Sequence, residues 1–382
     1  MAGSQFGKIF HISTFGESHG KALGVVVDGC PAGLSLSEED IQEMLERRRP
    51  GKNLKMTQRR EGDKVEILSG IFEGKTTGTS IAMVVWNEDQ RSKDYGEIAH
   101  AFRPGHADYG FFAKYGFRDY RGGGRSSGRE TIARVAAGAI AKKMLLELGV
   151  SVRAKVIELA GISLTEDRQK AELLAEQKIL SLREQGDSAG GVVECLVEGL
   201  PAGIGEPVFD KLDASLAKAV MSIGAVKSVE IGDGIEVSKS LGSENNDAFF
   251  LMEENDYESE EKERDAAGKD SCPHSLLEGT TSFEGKLKKG SNHSGGILGG
   301  MSDGSAIRIR AGFKPTPSIS KPQQTVNEAG EEITIAIKGR HDPTVVERAN
   351  VVVEAMTALT VLDAMLENLS ARLEYVKRAY RR

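Results

Sequence analysis

Runs of apolar residues along the chain predict a set of β-strands. In the first part of the chain, alternating or continuous apolar runs lie at residues 23–29, 64–72 and 79–87, with glycine-containing turns between them. Later runs of the same kind predict strands at residues 191–199, 305–312 and 332–339. Because helical patterns separate these runs, we expect strands and helices to alternate irregularly through the chain.

The segment between the first two strand runs predicts a short amphipathic helix. Ser37 and Asp40 form a helix-start pattern, and Pro50 followed by Gly51 forms a stop. A second helix is predicted within residues 131–149, where apolar side chains recur at helical spacing and a glycine ends the pattern. Further helices are predicted near residues 166–185 and 208–221, and a last long helix begins near Pro343.

The composition indicates a soluble globular protein that is rich in loops. Hydrophobic residues make up 39% and charged residues 28% of the chain, and 45 glycines accompany only 10 prolines. So many glycines are typical of tight turns and of backbone that approaches a ligand closely. The formal net charge of -7 argues against a nucleic-acid partner, which usually requires a basic surface.

The cysteines and the apolar segments bear on where the protein works. Cys30, Cys195 and Cys272 are far apart, so they indicate neither a metal site nor a disulfide framework but a reducing cytosol. We find no signal-peptide pattern at the N-terminus and no apolar run long enough for a membrane span, so we expect an untargeted cytoplasmic protein. Residues 252–271 are acidic and nearly free of large apolar side chains, which predicts a mobile surface insertion.

Residues 122–130, GGGRSSGRE, combine glycines, arginines and serines directly before a helical pattern. Small residues before a helix N-terminus expose backbone N–H groups, which together with the helix dipole favour an anion. A glycine turn with Ser127 and Glu130 as a capping box explains the same pattern without any ligand. Arg125 and Arg129 favour the anion-binding interpretation.

A second glycine-rich segment, GIFEGKTTG at residues 70–78, looks like a nucleotide phosphate loop but has the wrong spacing. Three residues separate Gly70 from Gly74, whereas the phosphate loop needs four. Strand patterns flank this segment on both sides, so we predict a hairpin turn here and no nucleotide hydrolysis.

Three histidines, His19, His106 and His341, lie beside glycine, proline or charged residues rather than among core residues. Histidine exchanges protons near neutral pH, and a position in a loop keeps the ring accessible to a ligand. For each one taken alone, an ordinary surface histidine is the safer interpretation. The sequence lacks the histidine and cysteine spacings of zinc sites, so we expect no metal.

Asp342 and a block of arginines have both structural and functional interpretations. Asp342 before Pro343 is a good N-cap for the following helix, but Arg340 and His341 next to it allow an anion to share the helix start. Residues 47–49 are three arginines at a predicted helix end, where cations complement the helix dipole. Guanidinium groups also clamp phosphates and carboxylates, so we favour a small substrate with several negative charges.

Three long motifs together make the chain similar to the chorismate synthase family: FGESHG at residues 15–20, RPGHADYGFFAKYGFRDYRGGGRSSGRET at 103–131 and KGRHDPTVVERA at 338–349. The resemblance extends over nearly the whole chain, including QRREGDKVEILSGIFEGKTTGTSI, SNHSGGILGG and KPTPSIS. It implies one α+β domain spanning residues 1–382, built as a β-α-β sandwich of antiparallel sheets with helices packed outside, and a homotetramer.

The resemblance also implies the reaction. The expected substrate is 5-enolpyruvylshikimate 3-phosphate, which a 1,4-anti elimination converts to chorismate and phosphate in the last common step of the shikimate pathway. The family requires reduced FMN although the reaction involves no net redox change. NADPH is a candidate reductant for that flavin, delivered either by the chain itself or by a separate flavin reductase.

The residues implied by the resemblance fall into three groups. The expected catalytic residues are His19, His106 and Asp342. The expected FMN contacts are Arg125, Ser126, Ser127, Gly224, Ala225, Gly299, Lys314, Pro315, Thr316, Pro317, Ser318 and Arg340. The expected substrate contacts are Arg48, Arg129 and Arg340, and Arg48 also matches an NADP contact of the family.

One departure and two alternatives accompany this interpretation. Where related sequences often carry a further arginine, this chain has Leu54 and Lys55, so Lys52 or Lys55 would have to supply the charge. A flavin-dependent oxidoreductase would show stoichiometric NADPH use and net hydride transfer to an anionic substrate. A non-catalytic anion-binding protein would leave the histidines and Asp342 without a role.

Overall fold

The structure is a computed structural model that describes residues 3–49, 62–87, 99–251, 287–337 and 342–380. Its α-helices are α1 (Glu38–Arg48), α2 (Asp108–Tyr115), α3 (Thr131–Glu147), α4 (Arg168–Glu184), α5 (Leu212–Met221), α6 (Gly242–Asn245), α7 (Val346–Asn368) and α8 (Leu373–Tyr380). Short 3-10 helices cover Gly124–Ser126, Gly128–Glu130 and Gly234–Lys239.

The strands of the first half are β1 (Gln5–Phe6), β2 (His11–Gly16), β3 (Ala22–Asp28), β4 (Val65–Ile67), β5 (Ile71–Phe72), β6 (Lys75–Thr76), β7 (Ile81–Trp86), β8 (Ser151–Leu159) and β9 (Ile162–Ser163). Those of the second half are β10 (Gly191–Glu198), β11 (Val226–Ile231), β12 (Phe249–Leu251), β13 (Leu287–Lys289), β14 (Ile297–Leu298), β15 (Met301–Ser302), β16 (Ile307–Phe313), β17 (Gln323–Val326) and β18 (Glu332–Ile335).

Two antiparallel five-stranded sheets organise these elements. The first sheet has the order β1-β2-β3-β7-β4, and the second has the order β11-β16-β10-β8-β9. Each sheet turns one apolar face inward, because alternate residues of a strand point to opposite faces. In β3, for example, Leu23, Val25 and Val27 are almost completely buried and pair with residues of β7 that are equally buried.

Helices α3 and α7 lie between the two sheets. α3 packs on β2, β3 and β7 of the first sheet, α7 packs on β8 and β10 of the second, and the two helices pack against each other. The α+β class and the β-α-β sandwich of antiparallel sheets are confirmed, and α3 and α7 form the helical layer of that sandwich. Helix α7 suits this layer because it is buried around most of its circumference and therefore needs apolar neighbours on every side.

Helix α7 is also the one helix in the described ranges that is long and apolar enough to cross a membrane. Within the protein, however, 83% of its apolar stretch is buried. This helix therefore forms the centre of the hydrophobic core, with α1, α3, α5 and the second sheet around it.

Most predicted elements are present with small shifts at their ends. The predicted strand at residues 64–72 divides into β4 and β5, and the segment at 70–78 is the predicted hairpin, formed by β5 and β6. Ser37 starts α1, and its backbone N–H donates to Asp40 Oδ2 at 2.8 Å, which confirms the capping box. The acidic segment at 252–271 and Cys272 lie outside the described residues.

Two predicted helix starts differ from the structure. Ser127 caps the short 3-10 helix Gly128–Glu130 by accepting a hydrogen bond from the backbone N–H of Arg129, whereas the Glu130 carboxylate binds Thr14 and Arg134 instead of completing a capping box. Asp342 is not the N-cap of the last long helix, because α7 begins at Val346 and its N-cap is Val345. The Asp342 carboxylate accepts from Arg348 instead.

Gly138 of α3 lies where α3 and α7 approach each other closely. A Cβ at this position would lie 2.4 Å from Ala355 Cβ and 2.7 Å from Ala355 Cα. Gly138→Ala should therefore lower the free energy of unfolding by about 1–3 kcal/mol, although alanine is the better helix former. The matched control is Gly110→Ala in α2, where the added methyl group meets open space and should stabilise by up to about 1 kcal/mol. Urea unfolding measures both changes, and a stabilised Gly138→Ala would contradict the packing described.

Candidate active site

The glycine-rich loop at 122–124 packs directly on the loop that carries His19. Gly122 has a φ of +65°, and a Cβ there would lie 2.4 Å from His19 Cδ2 and 2.7 Å from Ser18 Oγ. Only glycine combines this backbone conformation with so close an approach. The first glycine of the motif therefore places the backbone against a predicted catalytic histidine.

The residues after the glycines fix this loop to the first sheet. Arg125 donates to Gly16 O at 3.1 Å and to Thr14 Oγ1 at 2.6 Å, both in β2, which leads into the His19 loop. Ser126 Oγ donates to Gly123 O at 2.7 Å, and Ser127 caps the following 3-10 helix. Of the three side chains predicted to contact FMN, Arg125 joins the glycine loop to β2, whereas Ser126 and Ser127 stabilise the loop itself.

His106 is partly buried and has a defined tautomer. Its Nδ1 lies 3.0 Å from Pro104 O, which can only accept, so Nδ1 carries the proton and Nε2 accepts from Ser318 Oγ at 2.9 Å. Burial, reinforced by the positive charge of Arg103, lowers the pKa of His106 from 6.5 to about 4. The ring is therefore neutral near pH 7 and can accept a proton at Nε2.

The segment at 314–318 lies against the His106 loop and brings several predicted FMN contacts together. Lys314 donates through Nζ to Gly105 O at 2.7 Å and through its backbone N–H to Ala225 O at 2.9 Å. Ala225 has a left-handed φ of +72°, and Gly224 before it faces open space where a Cβ would be. Gly299, in the turn between β14 and β15, is open in the same way.

One buried polar atom in the segment at 314–318 makes no hydrogen bond to the described residues. Thr316 Oγ1 has no hydrogen-bond partner among the described residues, although the Thr316 carbonyl accepts from Ser188 Oγ at 2.7 Å. Buried hydroxyl groups are usually paired, so an unpaired one in a loop cradle with a lysine fits a polar, anionic ligand.

Two of the three predicted substrate arginines meet at Asp63. Arg48 NH2 lies 3.3 Å from Asp63 Oδ2, and Arg129 NH1 lies 3.3 Å from Asp63 Oδ1. Arg129 also donates to Asn87 Oδ1 at 2.7 Å, and Asn87 Nδ2 donates in turn to Gly20 O at 2.8 Å. Asn87 thereby joins the arginine cluster to the His19 loop.

Asp342 belongs to the same cluster. Arg348 in the first turn of α7 donates to Asp342 Oδ2 at 2.5 Å and, through Nε, to Arg48 O at 3.2 Å. The pKa of Arg48 is lowered to about 10 by its complete burial, against which Asp63 acts in the opposite direction. The Asp342 carboxylate thus lies beside the end of α1.

Arg103 lies where the two histidine loops adjoin. Its guanidinium group is held by Asp108 at 2.7 and 2.8 Å, and its NH2 lies 3.9 Å from the Cβ position of Gly123. The same guanidinium group acts on the pKa of His106, so the glycine loop and the His106 loop face a common region.

Sequence reasoning missed several members of the site: Asp63, Asn87, Arg103, Ser188 and Arg348. Asp63 and Arg348 lie within motifs that resemble the family, but nothing in their spacing indicates which arginine each one contacts. Asn87 follows a buried strand directly, which is a weak signal for a polar residue at a sheet edge. Arg340, His341, Lys52, Leu54 and Lys55 lie outside the described residues.

Comparison with known proteins identifies the family. A family model described as chorismate synthase matches residues 10–366 of the chain. The chain belongs to the chorismate synthase family. Its relatives in this family include the chorismate synthase of Lachnoclostridium phytofermentans, which is 56% identical with 100% of both chains covered. The Methanosarcina mazei chorismate synthase is 52% identical, with 96% of this chain and 97% of that protein covered.

A crystal structure of a chorismate synthase has the same fold. It matches this chain with a TM-score of 0.70 and 29% sequence identity, and it covers 98% of this chain and 97% of its own. The chain is therefore a carbon–oxygen lyase that acts on phosphates, an enzyme of the shikimate pathway for aromatic biosynthesis.

The lowered pKa of His106 predicts that the free energy of unfolding depends on pH. Because the unfolded chain takes up this proton at about pH 6.5 and the folded protein only near pH 4, His106 should reduce stability progressively as the pH falls through this range. The loss should reach roughly 3 kcal/mol at pH 4, at 1.4 kcal/mol per pH unit. Relative to His106→Gln, which lacks this titration, the wild type should therefore lose unfolding free energy between pH 7 and pH 4.5. A pH-independent difference between the two proteins would contradict the buried neutral ring.

Proposed function

We propose that this chain forms chorismate and phosphate from 5-enolpyruvylshikimate 3-phosphate with bound reduced FMN and no net redox change. The observation that carries the proposal is the connection of buried arginines to a histidine loop through Asn87. Two carboxylates and a phosphate require fixed cations, and an elimination requires groups that move protons.

The arginine cluster is the part that would bind the substrate anions. Arg48 and Arg129 are largely buried, and guanidinium groups in a low-dielectric site attract phosphate and carboxylate more strongly than in water. Arg340 would complete this set and also contact the flavin. Arg48 is in addition our proposed NADP contact.

The segment at 314–318 and its neighbours would hold FMN. The cradle offers the Lys314 ammonium group, the Thr316 hydroxyl group and the open backbone at Gly224 and Gly299, all of which suit a phosphorylated polar cofactor. Ala225, Pro315, Pro317, Ser318 and residues 125–127 would contribute further contacts. Reduced flavin, when bound, supplies electron density that helps to expel phosphate.

The chain's own groups would handle the protons. His106 is neutral at pH 7 and presents Nε2 to Ser318, so it would accept a proton at that atom only transiently during turnover. His19 lies beside Ser18 and Gly122 in the adjoining loop and would assist the departing phosphate. Asp342, fixed by Arg348, would take the proton from C6 of the substrate.

Other parts of the proposal concern the protein as a whole. We propose a single domain that assembles as a homotetramer, works in the cytoplasm and contacts neither membrane nor nucleic acid. NADPH would reduce the flavin, either on this chain or through a separate reductase.

Asp342→Asn tests the assignment of the base. The amide keeps the shape of the side chain but cannot accept the C6 proton, so kcat for chorismate formation should fall at least about a hundredfold. Binding of 5-enolpyruvylshikimate 3-phosphate, measured by calorimetry, should change less than about tenfold, because the arginines remain. Asp210→Asn, which removes a comparable carboxylate from an exposed pair with Lys8, is the control and should keep full turnover. Normal kcat in folded Asp342→Asn would exclude Asp342 as the base.

A further inference from the structure

Asp63 occupies an unusual position between two arginines that the proposed function assigns to the substrate. The side chain of Asp63 is 1% exposed and that of Arg48 is 2% exposed, while Arg129 is 11% exposed. Both arginines use this one carboxylate, one on each oxygen. Two guanidinium groups against one carboxylate leave the trio with one net positive charge.

The backbone of Asp63 is held in place by the helix that ends at Arg48. Gln42 of α1 donates through Nε2 to Asp63 O at 3.3 Å and accepts through Oε1 from the Val65 N–H at 3.1 Å. Asp63 itself has a left-handed φ of +42°, a conformation that is uncommon for residues other than glycine. Strained backbone persists where the surroundings impose it, often at functional sites. The carboxylate is therefore placed relative to Arg48 by α1 itself.

The contact between these charges is incomplete. Among the described residues, Arg48 Nε and NH2 and Asp63 Oδ2 are buried and have no hydrogen-bond partner. Arg48 NH2 and Asp63 Oδ2 lie 3.3 Å apart, so the two charges are close together but form no well-aligned hydrogen bond. Buried ionic groups are normally satisfied by hydrogen bonds as well as by charge, so the trio retains donors for a further anion.

We propose that Asp63 is a positioning residue that serves as the internal counter-anion of Arg48 and Arg129. Its carboxylate keeps the two guanidinium groups at a fixed spacing, and its negative charge weakens the attraction of the site for any small anion. A substrate with several anionic groups overcomes this opposition, whereas inorganic phosphate does so poorly. This inference rests on the proposed assignment of the two arginines to the substrate.

Asp63→Asn separates this role from a structural one. The substitution keeps the size of the side chain and removes its charge, so inorganic phosphate should bind the variant more tightly, by about tenfold or more. At the same time kcat for chorismate formation should fall, because the arginines lose the group that spaces them. A gain in phosphate affinity together with a loss of kcat is the expected signature. A carboxylate with only a structural role would give no gain in phosphate affinity.

Two further variants serve as controls. Asp363→Asn removes another buried carboxylate, which accepts from the backbone N–H groups of Lys8, Ile9 and Phe10 rather than from arginines. This control should lose stability without any gain in phosphate affinity. Adding Arg129→Ala to Asp63→Asn should abolish the gain, because one of the two guanidinium groups that Asp63 holds is then missing.

The affinity for inorganic phosphate is measured by calorimetric titration in a buffer free of other multivalent anions, so the test needs no turnover. Unchanged or weaker phosphate binding in folded Asp63→Asn overturns the inference, even if chorismate formation is normal in the wild type. Tighter binding supports it, even if the proposed reaction fails. If Asp63→Asn unfolds alone, thermal unfolding in increasing phosphate replaces the titration. A larger rise of Tm than in the wild type supports the counter-anion role, and an equal or smaller rise overturns it.

Discussion

The burial of α7 between two sheets is the constraint on which the rest of the structure depends. An apolar helix in this position aligns both sheets and α3, and it also carries three charged residues that reach the functional segments. Arg348 holds Asp342 and the end of α1, and Glu354 accepts hydrogen bonds from Arg47 and Lys142 and from the backbone N–H of Ala154. Asp363 holds the turn that leads into β2 and the His19 loop. Buried charges of this kind are costly unless they are paired, so their pairing fixes the geometry.

The site that results combines two electrostatic environments. On one side, buried arginines share a carboxylate and retain a net positive charge, which suits an anionic substrate. On the other side, burial and the neighbouring Arg103 keep His106 neutral, so its ring can accept a proton during the reaction. A fully charged ring would instead only bind one more anion. Asn87 joins the arginines to the His19 loop, and Arg103, held by Asp108, lies where the glycine loop adjoins the His106 loop. An elimination of phosphate with loss of a proton requires such groups to lie near one another.

The sequence predicted the elements better than it predicted their contacts. Strands and helices follow from local periodicity, and the start of α1 follows from Ser37 and Asp40. The position of α3 and α7 between the sheets depends on how two apolar sheet faces are filled, which no local pattern shows. The same holds for Asp342, whose carboxylate binds Arg348 instead of capping the helix, and for Asp63, whose partners come from α1 and from the segment before α3. Such contacts join residues far apart in the chain and depend on the tertiary fold.

The most direct test of a redox-neutral elimination that requires reduced FMN is anaerobic turnover of 5-enolpyruvylshikimate 3-phosphate with reduced FMN, oxidised FMN or no flavin. Chorismate and phosphate would be quantified together with the redox state of the flavin. We expect equal amounts of both products, formed only with reduced FMN and without net flavin oxidation. Stoichiometric consumption of reduced flavin or NADPH, or tight binding of the substrate without release of phosphate, would contradict it.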